Sequence, residues 1–250
     1  MRITLLGTGT SYPDPDRVQS GILVESGSES ILVDIGSGIL HRLTQTGIDL
    51  DTISSVFISH FHIDHCSDFL TLCQSIWLSG NGRTLNLYGP PSVIEWLHSL
   101  HDAFPYLRDK VIIQPIVLHE NESIKLERLT VANAPTVHGK MDTRAFRIES
   151  KGKVFVYSSD SAPSQGFNMF ARNSDVLVHE CNWLDGAHPE GVHTTPTELV
   201  NITNEIAPAK LILTHLSPEV VQNKDEVLEI IGSATETEVL MAEDLMSFEI

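Results

Sequence analysis

Cysteine is scarce in this sequence, basic residues are outnumbered, and no long hydrophobic run is present. The 250 residues include only Cys66, Cys73 and Cys181, without a CxxC pair. An odd number of cysteines with no framework of pairs indicates a reducing compartment. No signal peptide precedes the first strand pattern, and no apolar run is long enough to span a bilayer. The chain is therefore expected to be cytoplasmic and without a membrane partner.

The shortage of basic residues excludes several kinds of partner. Sixteen lysines and arginines face 33 acidic residues, which gives a net charge of −17. This balance argues against a broad nucleic-acid footprint and against an anionic membrane surface. It does not exclude a small anionic substrate, because bound divalent cations can dominate the local field.

Composition and length are those of a soluble globular protein. Hydrophobic residues make up 41% and charged residues 20% of the chain. The length allows one large domain or two small ones, but there is no composition break, linker, low-complexity run or repeat. We therefore expect a single domain over residues 1–250.

The most informative stretch is Ser59-His60-Phe61-His62-Ile63-Asp64-His65, which directly follows the apolar, β-branched segment 55–58. An extended backbone points His60 and His62 to the same side, and Asp64 and His65 follow in the turn, where they can face a second ion. Imidazole and carboxylate ligands suit a divalent cation such as Zn²⁺. The alternative, a chance cluster on a solvated loop, is disfavoured by the alternating spacing against a strand end.

Later in the chain, apolar strands repeatedly end in a residue that can bind a metal. Asp34 follows 31–33, Asp160 follows the strand 154–157, His215 follows 211–213, and His138 follows 135–137. A strand-terminal aspartate is more often a turn former or helix cap, so each position alone is weak evidence. Together with the cluster at 60–65 they predict one site, because strand ends on one edge can converge.

The remaining pattern predicts an α+β protein. Strands are expected at 3–6, 22–24, 31–33, 55–58, 85–88, 111–118, 124–126, 129–132, 143–149, 154–157, 176–178, 211–213, 239–241 and around Phe248. Helices are expected at 39–46, 69–78, 93–100, 165–172, 197–206 and 218–231. The strands cluster in two blocks, which indicates two sheets packed face to face with helices outside. Gly7-Thr8-Gly9-Thr10 is more typical of a tight turn than of a phosphate-binding loop.

The ordered series Asp34, His60-x-His62-x-Asp64-His65, His138, Asp160 and His215 resembles the metallo-β-lactamase superfamily over nearly the whole chain. The resemblance implies a four-layer αββα sandwich with a site for two divalent metal ions at one edge. It places His60, His62 and His138 on one ion and Asp64, His65 and His215 on the other. Asp160 would bridge them, and Asp34 would support the site from behind. Five imidazoles and two carboxylates suit zinc first, with manganese and iron as alternatives.

Three further stretches are similar to the ribonuclease Z-like branch of that superfamily: 48–60, Val178-His179-Glu180-Cys181, and Val192-His193-Thr194-Thr195-Pro196-Thr197-Glu198. On this resemblance, His193 is the candidate catalytic histidine that meets the phosphoryl group, Glu180 orients it, and Asp64 also shuttles a proton. The competing interpretation is that His193 merely precedes a helix capped by Thr195. His98 and His101 could pair on a metal, but a solvated helix face explains them better.

The chain departs from ribonuclease Z in its acidic charge, in Asp68, which replaces a glycine common in that branch, and above all in one missing segment. Those enzymes grip tRNA with an arm inserted between the residues that correspond to His138 and Asp160, and here the two lie only 22 positions apart. The predicted hairpin around Lys151 uses most of that segment. The favoured function is therefore a phosphodiesterase for a small or cyclic phosphodiester, attacked by a hydroxide shared between the ions.

Several other functions stay open on the sequence. They are tRNA 3′ processing as a ribonuclease Z, hydrolysis of a carboxyl ester, sulfate ester, lactone or thioester, and a metal-stabilised binding module without turnover. The family resemblance also suggests a homodimer.

Overall fold

Two β-sheets form the centre of the molecule. The computed structural model describes residues 1–80 and 82–250. Within these residues each sheet has seven strands. In spatial order, the first consists of β14 (Met246–Glu249), β1 (Arg2–Gly7), β2 (Gly21–Ser26), β3 (Glu29–Val33), β4 (Ile53–Phe57), β5 (Thr84–Gly89) and β6 (Ile112–Val117). The second consists of β13 (Glu238–Met241), β12 (Lys210–Thr214), β11 (Val176–Glu180), β10 (Lys153–Tyr157), β9 (Met141–Ser150), β8 (Thr130–His138) and β7 (Ser123–Lys125).

Alternation along the strands builds the layers. In β3, Ile31 and Val33 pack into the core between the sheets, whereas Leu32 faces the opposite side. In β11, Val178 faces the core between the sheets and Leu177 faces outward. Because side chains of a strand alternate between its two faces, both sheets are apolar on both sides and need cover outside.

Helices supply that cover. The first sheet is covered by α1 (Ile39–Thr46), α3 (Phe69–Ser79) and α4 (Val93–Ala103), which share an apolar cluster with its outer face. The second sheet is covered by α5 (Gln165–Ala171), α6 (Pro196–Ile206), α7 (Pro218–Gln222) and α8 (Lys224–Gly232). The predicted αββα sandwich of the α+β class is therefore confirmed. In the part of the chain described, no helix is both long and apolar enough to cross a bilayer.

Three local predictions need correction. Asp64 and His65 do not lie in a turn but in a short helix, α2 (Ile63–Cys66). The strand predicted at 129–132 continues to His138, because β9 pairs with β8 along its whole length. The helix predicted over 218–231 is interrupted at Asn223, whose side-chain amide donates to the carbonyl of Glu219 at 2.8 Å and competes with the helix backbone.

Parallel strands determine where the polar residues gather. β3, β4 and β5 run parallel in the first sheet, and β10, β11 and β12 run parallel in the second. The carboxyl ends of parallel strands lie at the same edge, where ligands of α/β sheets commonly bind. Asp34, Asp160 and His215 follow such ends, and Glu180 is the last residue of β11.

Candidate metal centre

A cavity of about 980 Å³ opens at the carboxyl ends of the parallel strands. Most of the predicted site residues meet here. Its lining includes His62, Asp64, His138, Asp160, His193 and His215. His60 and His65 are fully buried next to this cavity, in contact with the lining histidines and with Asp160.

The first set of converging side chains combines three imidazoles with one carboxylate. The Nε2 atom of His60 lies 3.0 Å from Nδ1 of His62, and Nε2 of His138 lies 3.1 Å from that same atom. Oδ2 of Asp160 lies 3.8 Å from Nε2 of His60 and 3.4 Å from Nε2 of His138. The ligand atoms of all four residues lie within 4.8 Å of one another, which suits a single cation between them.

The second set combines Asp64, His65 and His215. Oδ2 of Asp64 lies 3.3 Å from Nε2 of His215 and 3.8 Å from Nε2 of His65. The other oxygen of Asp160, Oδ1, lies 3.2 Å from Nε2 of His65 and 3.3 Å from Nε2 of His215. The two carboxylate oxygens of Asp160 therefore face two different sets of side chains, as a bridging ligand would.

Buried atoms without partners test whether this arrangement fits cations. Oδ1 of Asp160, Oδ1 of Asp64 and Nε2 of His65 are buried and have no hydrogen-bond partner among the described residues. Burial first, and then the neighbouring imidazoles, lower the pKa of His60, and burial also lowers the pKa of His62. The ring nitrogens of His60, His62 and His138 converge at 3.0 to 3.1 Å with the Asp160 carboxylate beside them, a spacing that one cation can occupy. The donor set therefore fits divalent cations that accept nitrogen and oxygen ligands.

The negative charge of the Asp160 carboxylate agrees with a site for divalent cations. Burial by itself raises the pKa of a carboxyl group, but His215 and His65 outweigh it and hold the pKa of Asp160 well below its usual range. The side chain is therefore an anion, although it is 2% exposed. A buried anion is stable only with cationic or hydrogen-bonding partners.

Asp34 anchors the site from behind. Its Oδ1 accepts a hydrogen bond from the backbone N–H of Ser59 at 2.7 Å, and its Oδ2 accepts from the hydroxyls of Ser59 and Tyr157 at 2.9 and 3.2 Å. Nδ1 of His65 donates to the same oxygen at 2.8 Å. This bond directs Nε2 of His65 to the cavity, as carboxylates behind metal-binding histidines commonly do.

Glu180 has the same relation to His193. Nδ1 of His193 lies 2.7 Å from Oε1 of Glu180, which also accepts the backbone N–H of Ser161 at 2.9 Å. Burial opposes protonation of His193, yet the Glu180 carboxylate outweighs burial and raises the pKa of His193. The imidazole lies beside the rings of His138 and His215, with centroids 4.9 and 5.6 Å away.

The structure thus brings together His60, His62, Asp64, His65, His138, Asp160, His193 and His215, with Asp34 and Glu180 behind them. That these residues bind metal or act in catalysis stays a prediction. His98 and His101 lie away from this cluster, on α4 beside Asp102 and Arg108.

Several contributing residues were missed in the sequence. Tyr157 and Ser59 hold Asp34. Ser59 directly precedes His60, whereas Tyr157 lies three positions before Asp160 and no local signal marks it. Gly36 has no such signal: a Cβ atom there would lie 2.0 Å from the carbonyl oxygen of Asp64, so only glycine lets α2 approach. Ser11, whose side chain lies close enough to the Asp64 carboxylate to help lower its pKa, comes from a distant loop. Trp183, whose ring meets His193 edge-on at 5.0 Å, lies in the same connection as His193, between β11 and α6.

Comparison with known proteins gives relatives that match almost end to end. Ribonuclease Z of Mycobacterium bovis (strain BCG / Pasteur 1173P2) is 29% identical over 250 aligned positions, covering 90% of this chain and 89% of the relative. Ribonuclease Z of Methanosarcina acetivorans is 26% identical over 301 positions, covering 100% of this chain and 98% of the relative. The metallo-β-lactamase fold protein YhfI from Bacillus subtilis superposes with a TM-score of 0.87 at 27% identity, covering 99% of this chain and 98% of YhfI.

Fold, side-chain cluster and relatives define the class of protein: a metal-dependent hydrolase with the metallo-β-lactamase fold, in the ribonuclease Z-like branch. Within this class, the chain belongs to the family described as anti-Pycsar protein Apyc1, whose sequence profile matches residues 1–236.

Proposed function

We propose that this protein is a binuclear metal-dependent phosphodiesterase that hydrolyses small or cyclic phosphodiesters. The observation that supports this most strongly is Asp160, whose two oxygens lie 3.2 to 3.4 Å from imidazole nitrogens of two separate sets. One ion would be held by His60, His62, His138 and Asp160. The other would be held by Asp64, His65, His215 and Asp160, with zinc favoured and manganese or iron as alternatives.

The side chains around the cavity divide the chemistry among them. A pair of bound divalent cations supplies Lewis-acid neutralisation of the phosphoryl oxygens and lowers the pKa of the attacking water. His193, held at Nδ1 by Glu180, presents Nε2 to the cavity. From there it donates a hydrogen bond to a phosphoryl oxygen or a proton to the leaving alkoxide. Asp64, whose Oδ2 lies 3.3 Å from Nε2 of His215, would also shuttle a proton of the attacking water.

The surroundings of the cavity favour a compact substrate. The segment between His138 and Asp160 consists mostly of the paired strands β9 and β10. No arm for gripping tRNA therefore extends from it. Lys140 is the one lysine or arginine among the lining residues that the structure describes. With a net charge of −17, the surface offers little to a long polyanion such as tRNA.

A second candidate, tRNA 3′ processing, is supported by the ribonuclease Z relatives, which match about nine-tenths of the chain or more. Against it, the alignment with the Methanosarcina enzyme exceeds the 250 residues of this chain by 51 positions, so that relative carries segments with no counterpart here. Hydrolysis of a carboxyl ester, sulfate ester, lactone or thioester, and binding without turnover, are further outcomes that an assay can distinguish.

We also propose a cytoplasmic location, because Cys66, Cys73 and Cys181 are free thiols.

The decisive experiment compares substrates on metal-loaded protein. We expect turnover of bis(p-nitrophenyl) phosphate and of a cyclic nucleotide, little hydrolysis of a p-nitrophenyl carboxyl ester, and no cleavage of a precursor tRNA. Asp160→Ala removes the bridge and should abolish turnover and reduce bound metal, measured by elemental analysis. Asp225→Ala, an exposed acidic residue on α8, is the matched control and should change neither. Full phosphodiesterase activity in Asp160→Ala would reject the assignment.

A further inference from the structure

His215 differs from other candidate metal-binding histidines in what holds its ring. Nδ1 of His65 donates to Asp34 at 2.8 Å, and Nδ1 of His138 donates to the carbonyl of Val192 at 2.8 Å. Nδ1 of His215 is buried and has no hydrogen-bond partner among the described residues. Because no group behind the ring directs its Nε2 atom towards the cavity, the backbone at His215 must do so.

That backbone is strained and is held on both sides. The φ angle of His215 is 51°, a left-handed conformation that persists where surrounding contacts enforce it. Before it, the carbonyl of Leu213 accepts the backbone N–H of Ala242 at 2.8 Å. After it, the backbone N–H of Leu216 donates to the carbonyl of Thr8 at 2.9 Å. One of these partners lies in the crossing from β13 to β14, and the other lies just after β1.

One carboxylate, that of Asp244, joins the two segments that hold His215. Its Oδ1 accepts the backbone N–H of Thr8 at 3.0 Å and the hydroxyl of Thr8 at 2.8 Å. Its Oδ2 accepts the backbone N–H of Val18 at 2.8 Å and Nε of Arg42 at 3.2 Å. The Asp244 side chain is only 5% exposed, so loss of the carboxylate would leave these donors without a partner.

Arg17 adds a second link between the same segments. Its Nη1 atom donates to the hydroxyl oxygen of Thr8 and, at 2.6 Å, to the carbonyl of Ala242. The backbone N–H of Leu245 donates to the carbonyl of Leu5 at 2.7 Å, which ties the crossing to β1. The crossing between the sheets and the turn after β1 therefore form one hydrogen-bonded unit.

We propose that Asp244 is a positioning residue for the second metal ion, acting through Thr8 and the backbone of His215. This inference rests on the proposed assignment of two ions, of which the second would be held by the set that contains His215. The first ion should not depend on Asp244, because His138 has its own support in the carbonyl of Val192. Loss of a contact behind a metal ligand weakens metal binding by about 10- to 100-fold.

Equilibrium dialysis against zinc buffers, followed by elemental analysis, tests this role. In Asp244→Asn, the amide replaces one carboxylate oxygen and points a donor at groups that are themselves donors. This variant should bind the second ion about 10- to 100-fold more weakly and the first ion as tightly as the unchanged protein does. His215→Ala and His62→Ala identify which binding step belongs to which ion. Glu243→Gln alters a neighbouring side chain that is 70% exposed, and this control should change neither step.

Thr8 provides a second test, which also serves if Asp244→Asn does not fold. Thr8→Val removes the hydroxyl that donates to Asp244 while keeping a side chain of similar shape, and Thr8→Ser keeps the hydroxyl. Thr8→Val should weaken the second ion and leave the first unchanged. Thr8→Ser should bind both ions like the unchanged protein. A purely structural role would not separate the two binding steps.

The outcomes distinguish this inference from the proposed function. Equal weakening of both ions in Asp244→Asn and Thr8→Val, or no weakening of either, would overturn the positioning role and leave the two-ion centre in place. If the unchanged protein binds fewer than two ions, the two-ion centre is rejected together with the role of Asp244. Selective weakening of the second ion supports that role even if no phosphodiester is turned over.

Discussion

Each of three histidines has one ring nitrogen engaged by an oxygen behind it, which leaves the other nitrogen for the cavity. His65 is held by Asp34 at 2.8 Å, His138 by the carbonyl of Val192 at 2.8 Å, and His193 by Glu180 at 2.7 Å. Such a bond selects the tautomer and the ring orientation. The first two histidines face the proposed ions, whereas His193 lies beside them.

His193→Ala tests whether this histidine acts on the substrate or holds metal. We expect kcat for a phosphodiester to fall by about 10²- to 10⁴-fold, the range for loss of a general acid or base, with both ions retained. Elemental analysis of the bound metal, carried out together with the kinetics, distinguishes the two roles. Because His193 also lies within ligand distance of Asp160 and His215, loss of metal in this variant would identify it as a ligand instead.

Glu180→Gln tests whether the carboxylate acts through His193. The substitution should lower kcat in the unchanged protein but have little further effect in a His193→Ala background, because residues in one network are not additive. Glu180 also accepts backbone N–H groups of Ser161 and Asn182. A purely structural role would give the same loss in both backgrounds, which is the contrary result.

At the scale of elements, strained strand ends supply the side chains of the site. Asp34, Ser159 and His215 follow or end buried strands and have positive φ angles of 59°, 54° and 51°. A left-handed backbone at residues other than glycine costs roughly 1–3 kcal/mol each and persists where surrounding contacts enforce it. Of these three side chains, that of His215 lines the cavity, whereas that of Asp34 holds His65 and Ser59 from behind.

The start of α6 should contribute measurably to stability. Thr195 and Glu198 form a reciprocal capping box, and the backbone N–H of Thr195 donates to Glu198 at 2.9 Å. Thr195→Ala should lower the free energy of unfolding by about 0.5–2 kcal/mol, whereas Thr195→Ser should restore most of it. Urea denaturation measures both. Equal stability of the two variants would contradict the capping role.

The junction of β10 and β11 predicts a pH-dependent contribution to stability. Asp175 accepts hydrogen bonds from Nζ of Lys153 at 2.7 Å and from the backbone N–H of Val154 at 2.8 Å, and the Lys153 bond holds the pKa of Asp175 below its usual range. A lowered pKa in the folded state stabilises the protein above the unfolded pKa, and this is lost as the pH falls towards the folded pKa. Asp175→Asn should therefore be destabilising at pH 7 and less so at pH 4. A pH-independent difference would refute this.

On the scale of the whole molecule, the candidate metal centre joins the two halves of the sandwich. His60, His62, Asp64 and His65 follow β4 of the first sheet, while His138, Asp160 and His215 come from strands of the second. Cations bound between them would connect layers that otherwise meet through apolar packing. Metal binding to the folded state alone stabilises that state by mass action.

Removal of metal should therefore lower the Tm of the whole molecule. If residues 1–250 form one domain, calorimetry should record a single unfolding transition that moves down with a chelator and returns with added zinc or manganese. Asp160→Ala should show a much smaller shift. Two separate transitions, only one of them sensitive to metal, would contradict the single domain.

The homodimer stays a prediction, which sedimentation of the metal-loaded protein tests.

Much of this organisation can be predicted because strand and ligand patterns are local in the chain. Period-two alternation and the positions of Asp34, Asp160 and His215 after apolar runs depend on neighbouring residues, so the sandwich and the convergence of these side chains follow from the sequence. The extension of β8 to His138 does not, because only pairing with β9 makes 135–138 a strand. The break at Asn223 likewise depends on a side-chain bond that competes with the helix.

The amino-acid sequence by itself determined the αββα layers and the set of histidines and carboxylates, since both arise from local alternation and residue type. Only the tertiary structure decided how these side chains are oriented. The two sheets place Tyr157 against Asp34, Glu180 against His193 and Ser11 against Asp64. These contacts join residues 13 to 123 positions apart or come from separate loops, and no local pattern marks them because packing alone brings them together.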